Sequence, residues 1–209
     1  AEAVLAVKSV LVDLNDAAAT LPNSYNSVEN ITPLETPLSS TINGAALATP
    51  VFLSLYAEND LRLDKYFAET DEKGFRKNKK AGSNNYLCTF RVGEIYLTAA
   101  EAAARLGELS QARTRLLELM RKRYAPEAYE AKSVVVNAMD KEALVQEILD
   151  ERARELAFEG HRWFDLRRST RPRLEKVLDG TRYVLEENDA RYTLAIPKEA
   201  IEANPGLLN

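Results

Sequence analysis

Val4, Leu5, Val7, Leu11, Val12, Leu14 and Ala18 recur at helical spacing and predict a helix over 1–20, stopped by Pro22. Residues 21–60 change character. Pro22, Pro33, Pro37 and Pro50 stand among Asn, Ser and Thr, which reads as irregular chain with a short strand. Val51 to Glu58 form a short apolar run that predicts a helix. Residues 71–85 carry Lys73, Arg76, Lys77, Lys79 and Lys80 beside Gly74 and Gly82, and read as a solvated loop or hairpin tip.

The period turns strongly helical at Val92. Residues 92–106 predict one helix with Gly107 as its C-cap, and 109–123 a second, ending in Arg121, Lys122 and Arg123. The short connection predicts an antiparallel helical hairpin. Tyr96, Ala100, Gly107 and Ala112 fit the ~34-residue tetratricopeptide (TPR) register, in which small residues let two helix axes approach. Residues 126–138 read as irregular. Asp140 is a good N-cap for a helix from Lys141 to Phe158. Gly160 breaks it, and His161 to Arg168 form a short second helix. Strands are expected at 182–186 and 191–196, and Pro197 opens a last helical turn.

Composition then narrows the chemistry. The 209 residues carry a net charge of −4, so no long-range field draws the chain to nucleic acid or an anionic membrane. A single Cys (Cys88) and a single His (His161) allow no intrachain disulfide and no Cys/His zinc site. The glycine signatures of dinucleotide and P-loop phosphate binding do not occur, so no cofactor or metal is expected. No apolar run approaches the ~18–20 residues of a membrane span. The chain opens at Ala1 inside a helical pattern, without signal-peptide features, and is read as a fragment.

Residues 150–168 read DERARELAFEGHRWFDLRR. On a helix Glu151, Glu155 and Glu159 stack at i, i+4 and i+8. Together with Arg152, Arg162, Asp165 and Arg168 they read as a structural ion-pair motif, since buried charges need paired partners. A glycosidase pair built from Glu151 and Glu155, or from Glu159 and Asp165, would need one carboxyl held protonated. The surrounding arginines favour the ionised form instead.

This run, ER-x-x-EL-x-FEG-x-RW-x-DLRR, resembles the signature of the SusD/RagB family of Bacteroidetes surface lipoproteins. Asp60-x-Arg62, the Arg91-x-x-Glu94-Ile95-Tyr96-Leu97-x-x-Ala100-Glu101-Ala102 helix, and Ala195-Ile196-Pro197-x-Glu199 with Asn204-Pro205 agree with it, in family order, over roughly residues 35–209. The resemblance implies a mainly α fold: a SusD-like α-α superhelix with TPR-like helical hairpins, irregular loops and short β segments. It implies one C-terminal domain over 1–209. Within it, 1–20 closes a TPR-like pair, 21–90 is loop-rich, 91–123 is a TPR-like hairpin, 140–168 holds the ion-pair motif and 169–209 is the C-terminal segment.

It also implies non-catalytic binding of an oligosaccharide or polysaccharide at the outer-membrane surface for nutrient uptake, and a SusC-like TonB-dependent transporter as partner. The signal peptide and lipid anchor of such proteins would lie outside this chain. A TPR-like protein-interaction scaffold is the alternative. The family's binding residues lie outside its motifs, so candidates are sought among polar-flanked aromatics in irregular chain: Tyr25 with Asn26, Tyr56, Tyr86 and Tyr129. Trp163 is read as core.

Overall fold

The computed structural model describes residues 1–34, 47–80, 88–178, 180–204 and 206. They fall into two compact units, Ala1–His161 and Arg162–Asn209.

In the first unit the helix expected over 1–20 is a single turn, α1 (Glu2–Leu5). Beyond it only isolated turns form, and the backbone at Val12 and Leu14 bonds to distant partners. Val12 N donates to Glu29 Oε1 at 2.9 Å, and Leu14 N to the Lys122 carbonyl at 2.9 Å. Short elements follow: β1 (Asn30–Leu34), β2 (Leu47–Ala48), α2 (Pro50–Leu53), α3 (Arg62–Tyr66), β3 (Phe67–Thr70), β4 (Arg76–Asn78) and β5 (Cys88–Arg91). β1 and β5 pair antiparallel, with Asn30 opposite Arg91; β4 lies between β2 and β3. The hairpin expected near 71–85 is thus β3–β4. Of the apolar run at 51–58, only its start is helical, in α2.

Four longer helices complete the unit: α4 (Val92–Leu106), α5 (Leu109–Met120), α6 (Pro126–Ala138) and α7 (Lys141–Glu155). α4 and α5 form the expected antiparallel hairpin. Gly107 turns it at φ 88°, the left-handed C-cap conformation that glycine adopts without strain. Ala100 and Ala112 are fully buried, as close approach of the two helices requires. Leu97, Leu116, Leu119, Leu144 and Ile148 fill one core with them, each worth ~1.5–3 kcal/mol of transfer.

Residues 126–138, read as irregular, are the helix α6. Pro126 sits at its first position, where a missing N–H costs nothing, and Val136 is fully buried. Arg113 Nη2 closes the far end by donating to the Met139 carbonyl at 2.6 Å. Asp140 caps α7 as expected, accepting from Ala143 N at 2.9 Å. α7 stops at Glu155 rather than Phe158. Phe158 (φ 62°) and Gly160 (φ 88°) then reverse the chain.

The second unit holds α8 (Arg162–Arg168), the antiparallel hairpin β6 (Leu174–Leu178) and β7 (Thr181–Leu185), and α9 (Lys198–Ala203). The strand expected at 182–186 is β7. The one expected at 191–196 does not form: β7 pairs backwards with β6, and Ala190–Tyr192 is a 3-10 turn capped by Asp189. Trp163 is half-buried and stacks on the buried Tyr192 ring, 5.2 Å between centroids and 12° between planes.

Candidate functional site

The three motif glutamates converge as the sequence suggests, but by another route. Glu151 and Glu155 lie one turn apart on α7. Glu159 follows the end of the helix and is brought back by the left-handed turn at Phe158. A bulky residue at positive φ is strained by about 1–3 kcal/mol, and here the strain buries Glu159 beside its partners.

Most of those partners come from elsewhere in the chain. Glu155 takes three arginines. Arg91 Nη1 donates to Oε1 at 2.6 Å, Arg123 Nη2 to Oε1 and Nε to Oε2, both at 2.9 Å, and Arg62 Nη1 to Oε2 at 3.1 Å. Glu151 accepts from Arg62 Nη1 at 2.7 Å and from Arg154 Nε at 2.8 Å. Glu159 accepts from Arg91 Nε at 3.0 Å and from Lys80 Nζ. Glu29 bridges Arg91 and Arg123, and Asp60 takes Arg62 through both carboxylate oxygens.

Asp60, Glu29 and the motif glutamates thus face Arg62, Lys80, Arg91, Arg123 and Arg154, cation for carboxylate. Every one of these residues is buried. Backbone pairing delivers two of the arginines: Leu61 N donates to the Arg123 carbonyl at 3.0 Å, and Ala125 N to the Asn59 carbonyl at 3.1 Å. Lys80, expected in a solvated loop, is buried, and its ammonium donates to the carbonyls of Glu155 and Ala157 at 3.0 and 3.1 Å.

Burial raises the Glu155 carboxyl, but Arg123, Arg91 and Arg62 outweigh it and hold the group well below the usual carboxylate range. Glu151 is lowered against burial by Arg62 and Arg154, and Glu159 by Arg91 and Lys80. Burial pulls the Lys80 ammonium down to about 8 against the pull of Glu159. A general acid must keep its proton near neutral pH. These three carboxyls are sealed from solvent and held towards the ionised form, which does not suit Glu151 or Glu155 to the proton-donating role of a glycosidase acid.

The motif has four further members. Arg152 is buried and lies 3.4 Å from the Thr98 hydroxyl. Arg162 is exposed at the start of α8. Asp165 is buried, and Arg168 Nη2 donates to it at 2.6 Å, one helical turn away. Among the described residues no group of His, Cys, Asp and Glu could hold a metal ion.

The structure separates the aromatic candidates. Tyr56 is a correction: it is only 7% exposed, edge-on to Phe52 and Phe67, and its hydroxyl donates to the Arg154 carbonyl at 2.8 Å. It is a core residue and presents no ring face. Tyr129 lies on α6, not in irregular chain, half-buried against the core. Tyr86 lies outside the described residues. Tyr25 is 52% exposed in the turns before β1, with Asn26 exposed beside it.

Residue-by-residue reading missed the cluster's distant partners. Arg62 and Arg91 were visible only as marks of the resemblance, while Glu29, Lys80 and Arg123 carry no local signal. Gly93 is also part of the site. A Cβ there would sit 2.6 Å from Arg91 Nη1, 3.0 Å from Glu155 Oε1 and 3.2 Å from Glu29 Oε2.

Among curated proteins no sequence matches this chain. Solved structures do. A SusD-like carbohydrate binding protein from Bacteroides vulgatus superposes with a TM-score of 0.68 at 18% identity, covering 99% of this chain and 53% of its own. A SusD superfamily protein from Bacteroides thetaiotaomicron gives 0.67 at 21% identity, covering 95% and 51%. One from Bacteroides fragilis gives 0.57 at 23%, covering 76% and 35%. The chain thus spans about half the length, or less, of these proteins, and they share its fold. The SusD_RagB model, described as the SusD family, matches residues 45–209, most of the sequence, and by that match the chain belongs to the SusD family.

Proposed function

We propose that this chain is part of a non-catalytic, cell-surface glycan-binding protein that passes oligosaccharide to a SusC-like TonB-dependent transporter in the outer membrane. The family match over residues 45–209 carries the reading. One feature is consistent with it: the motif carboxylates are engaged in ion pairs that hold the fold. Among the described candidates Tyr25 and Asn26 are exposed, residue types suited to contacting a sugar ring and bonding its hydroxyls.

Isothermal titration of the protein with neutral and acidic oligosaccharides tests the reading. Saturable binding without shortening of the sugar supports it. Cleavage of the sugar, or silence across the panel, overturns it. A protein-interaction scaffold is the second reading. It is favoured by α6, whose outward stripe Ala131, Val134, Val135 and Ala138 is exposed at helical spacing. Capture of the transporter by a protein that binds no sugar would select it.

A further inference from the structure

The chain reverses direction after α8 through a strained residue. Arg171 lies at φ 44°, in the left-handed region, and stands directly before Pro172. A bulky side chain disfavours that region, and a following proline pushes the backbone towards the extended form instead. The surroundings impose the conformation. Arg171 N donates to the Leu166 carbonyl at 3.1 Å, and Asn188 N to the Arg171 carbonyl at 2.9 Å. The Tyr192 hydroxyl donates to the Pro172 carbonyl while its ring stacks on Trp163. Strain of this kind persists only where the structure over-determines it, and it gathers at functional positions.

The reversal assembles a basic and aromatic face. Arg171 is folded back onto the last turn of α8, where its Nε donates to the Arg167 carbonyl at 3.0 Å. Phe164 and Arg167 stand three residues apart on one side of that helix, and the buried Asp165 and Leu166 hold the other. The Phe164 ring is 62% exposed, and Arg167 and Arg171 are half-buried. Among the described residues no carboxylate pairs with either of these two arginines. Their neighbours Arg168 and Arg173, by contrast, are engaged by Asp165 and by Glu175.

We propose that Phe164, Arg167 and Arg171 form a docking surface for a partner protein, which presents a short segment with an apolar side chain among carboxylates. Aromatic rings and arginine are the residue types enriched at protein interfaces. A guanidinium matches a carboxylate with two parallel donors, so the charge of the face sets the chemistry of its occupant. A short segment fits better than a membrane surface or a nucleic acid. The chain carries a net −4, and the exposed Glu186 and Glu187 in the same unit would repel an extended polyanion. The surface does not depend on the glycan reading, and sugar affinity has no bearing on it.

The test is fluorescence anisotropy with a labelled peptide in which leucines alternate with glutamates, beside the same peptide with glutamine and with lysine in place of glutamate. The unmodified protein is expected to bind the glutamate peptide saturably, more weakly as salt rises, and to ignore the other two. Phe164→Ala and Arg167→Gln are each expected to weaken binding by ~10-fold with unchanged melting, since both side chains face solvent. Arg171→Gln should do the same, and if that variant fails to fold the other two still decide. Arg121→Gln, an exposed cation on another helix, should bind as the unmodified protein does. Absence of binding to the glutamate peptide overturns the proposal, as does equal binding of all three peptides or undiminished binding by Phe164→Ala and Arg167→Gln. Binding to phosphatidylglycerol vesicles that these two variants abolish would also overturn it, by assigning the face to a membrane.

Discussion

Arg91 grips Glu155 twice, once by its side chain and once by its backbone: Nη1 donates to Oε1 at 2.6 Å, and Nη2 to the Glu155 carbonyl at 2.9 Å. The second bond satisfies a carbonyl in the last turn of α7, where no helical N–H remains to do so. One guanidinium therefore neutralises a buried charge and caps a helix. Arg91 is also the residue from which α4 starts.

Neutralising Glu155 should destabilise the protein severely. Glu155→Gln removes the charge on which Arg62, Arg91 and Arg123 converge and leaves three buried cations undercompensated. Breaking a buried pair costs about 3–5 kcal/mol, so the urea midpoint should drop sharply. A shift within ~0.5 kcal/mol, typical of surface sites, would show that the cluster is dispensable.

Gly93→Ala sets two effects against each other. Alanine is the better helix former by about 1 kcal/mol. Its Cβ, however, would lie 2.6 Å from Arg91 Nη1, an atom already bonded to Glu155 and Glu29. Displacing it sacrifices charged hydrogen bonds worth about 1.5–3 kcal/mol each, so the variant should melt lower. A higher melting temperature would mean that the cluster yields more easily than its geometry implies.

Acid should unfold the protein through these same carboxyls. Glu151, Glu155 and Glu159 are all lowered in the fold from an ordinary 4.5. Below that value the unfolded chain binds more protons than the folded one. Their contribution is therefore complete above about pH 5 and lost as the pH falls through the lowered folded values. Lys80, held at about 8 against an ordinary 10.5, contributes stability that rises with pH between those values. Urea midpoints measured from pH 7 down to pH 3 check the acid limb, and a flat profile would contradict it.

Tyr56→Phe separates core from platform. It removes the hydroxyl that donates to the Arg154 carbonyl and keeps the ring. The expected loss is about 1 kcal/mol in stability with unaltered sugar affinity. Weakened binding at unchanged stability would return Tyr56 to the candidate site.

The parts of this structure that are local in origin were legible in the sequence. The bounds of α4, the turn at Gly107 and the Asp140 cap follow from period, a backbone requirement and a short side chain within reach of its own helix. Val12 is the counterexample. Its spacing fits a helix, yet its N–H goes to Glu29 and its carbonyl to Arg123, partners 17 and 111 residues away. No window on the sequence contains that competition. The motif failed in a subtler way: its acids were legible as paired, but the bases that pair with Glu155 are Arg62, Arg91 and Arg123 rather than its neighbours in sequence. Among the candidate ligand residues, Tyr25 and Tyr56 look alike in a list of residues, and only the fold reveals that one faces water and the other Phe67.

Glu159 has one more consequence, for how such a chain can change over time. It clamps Lys80 and Arg91 together, so the stretch between them begins and ends on a single carboxylate. New sequence can be grafted there while both ends stay moored. Doubling the length of such a stretch adds only about 0.6 kcal/mol of closure entropy. Insertion between those two residues would leave the scaffold beneath them in place.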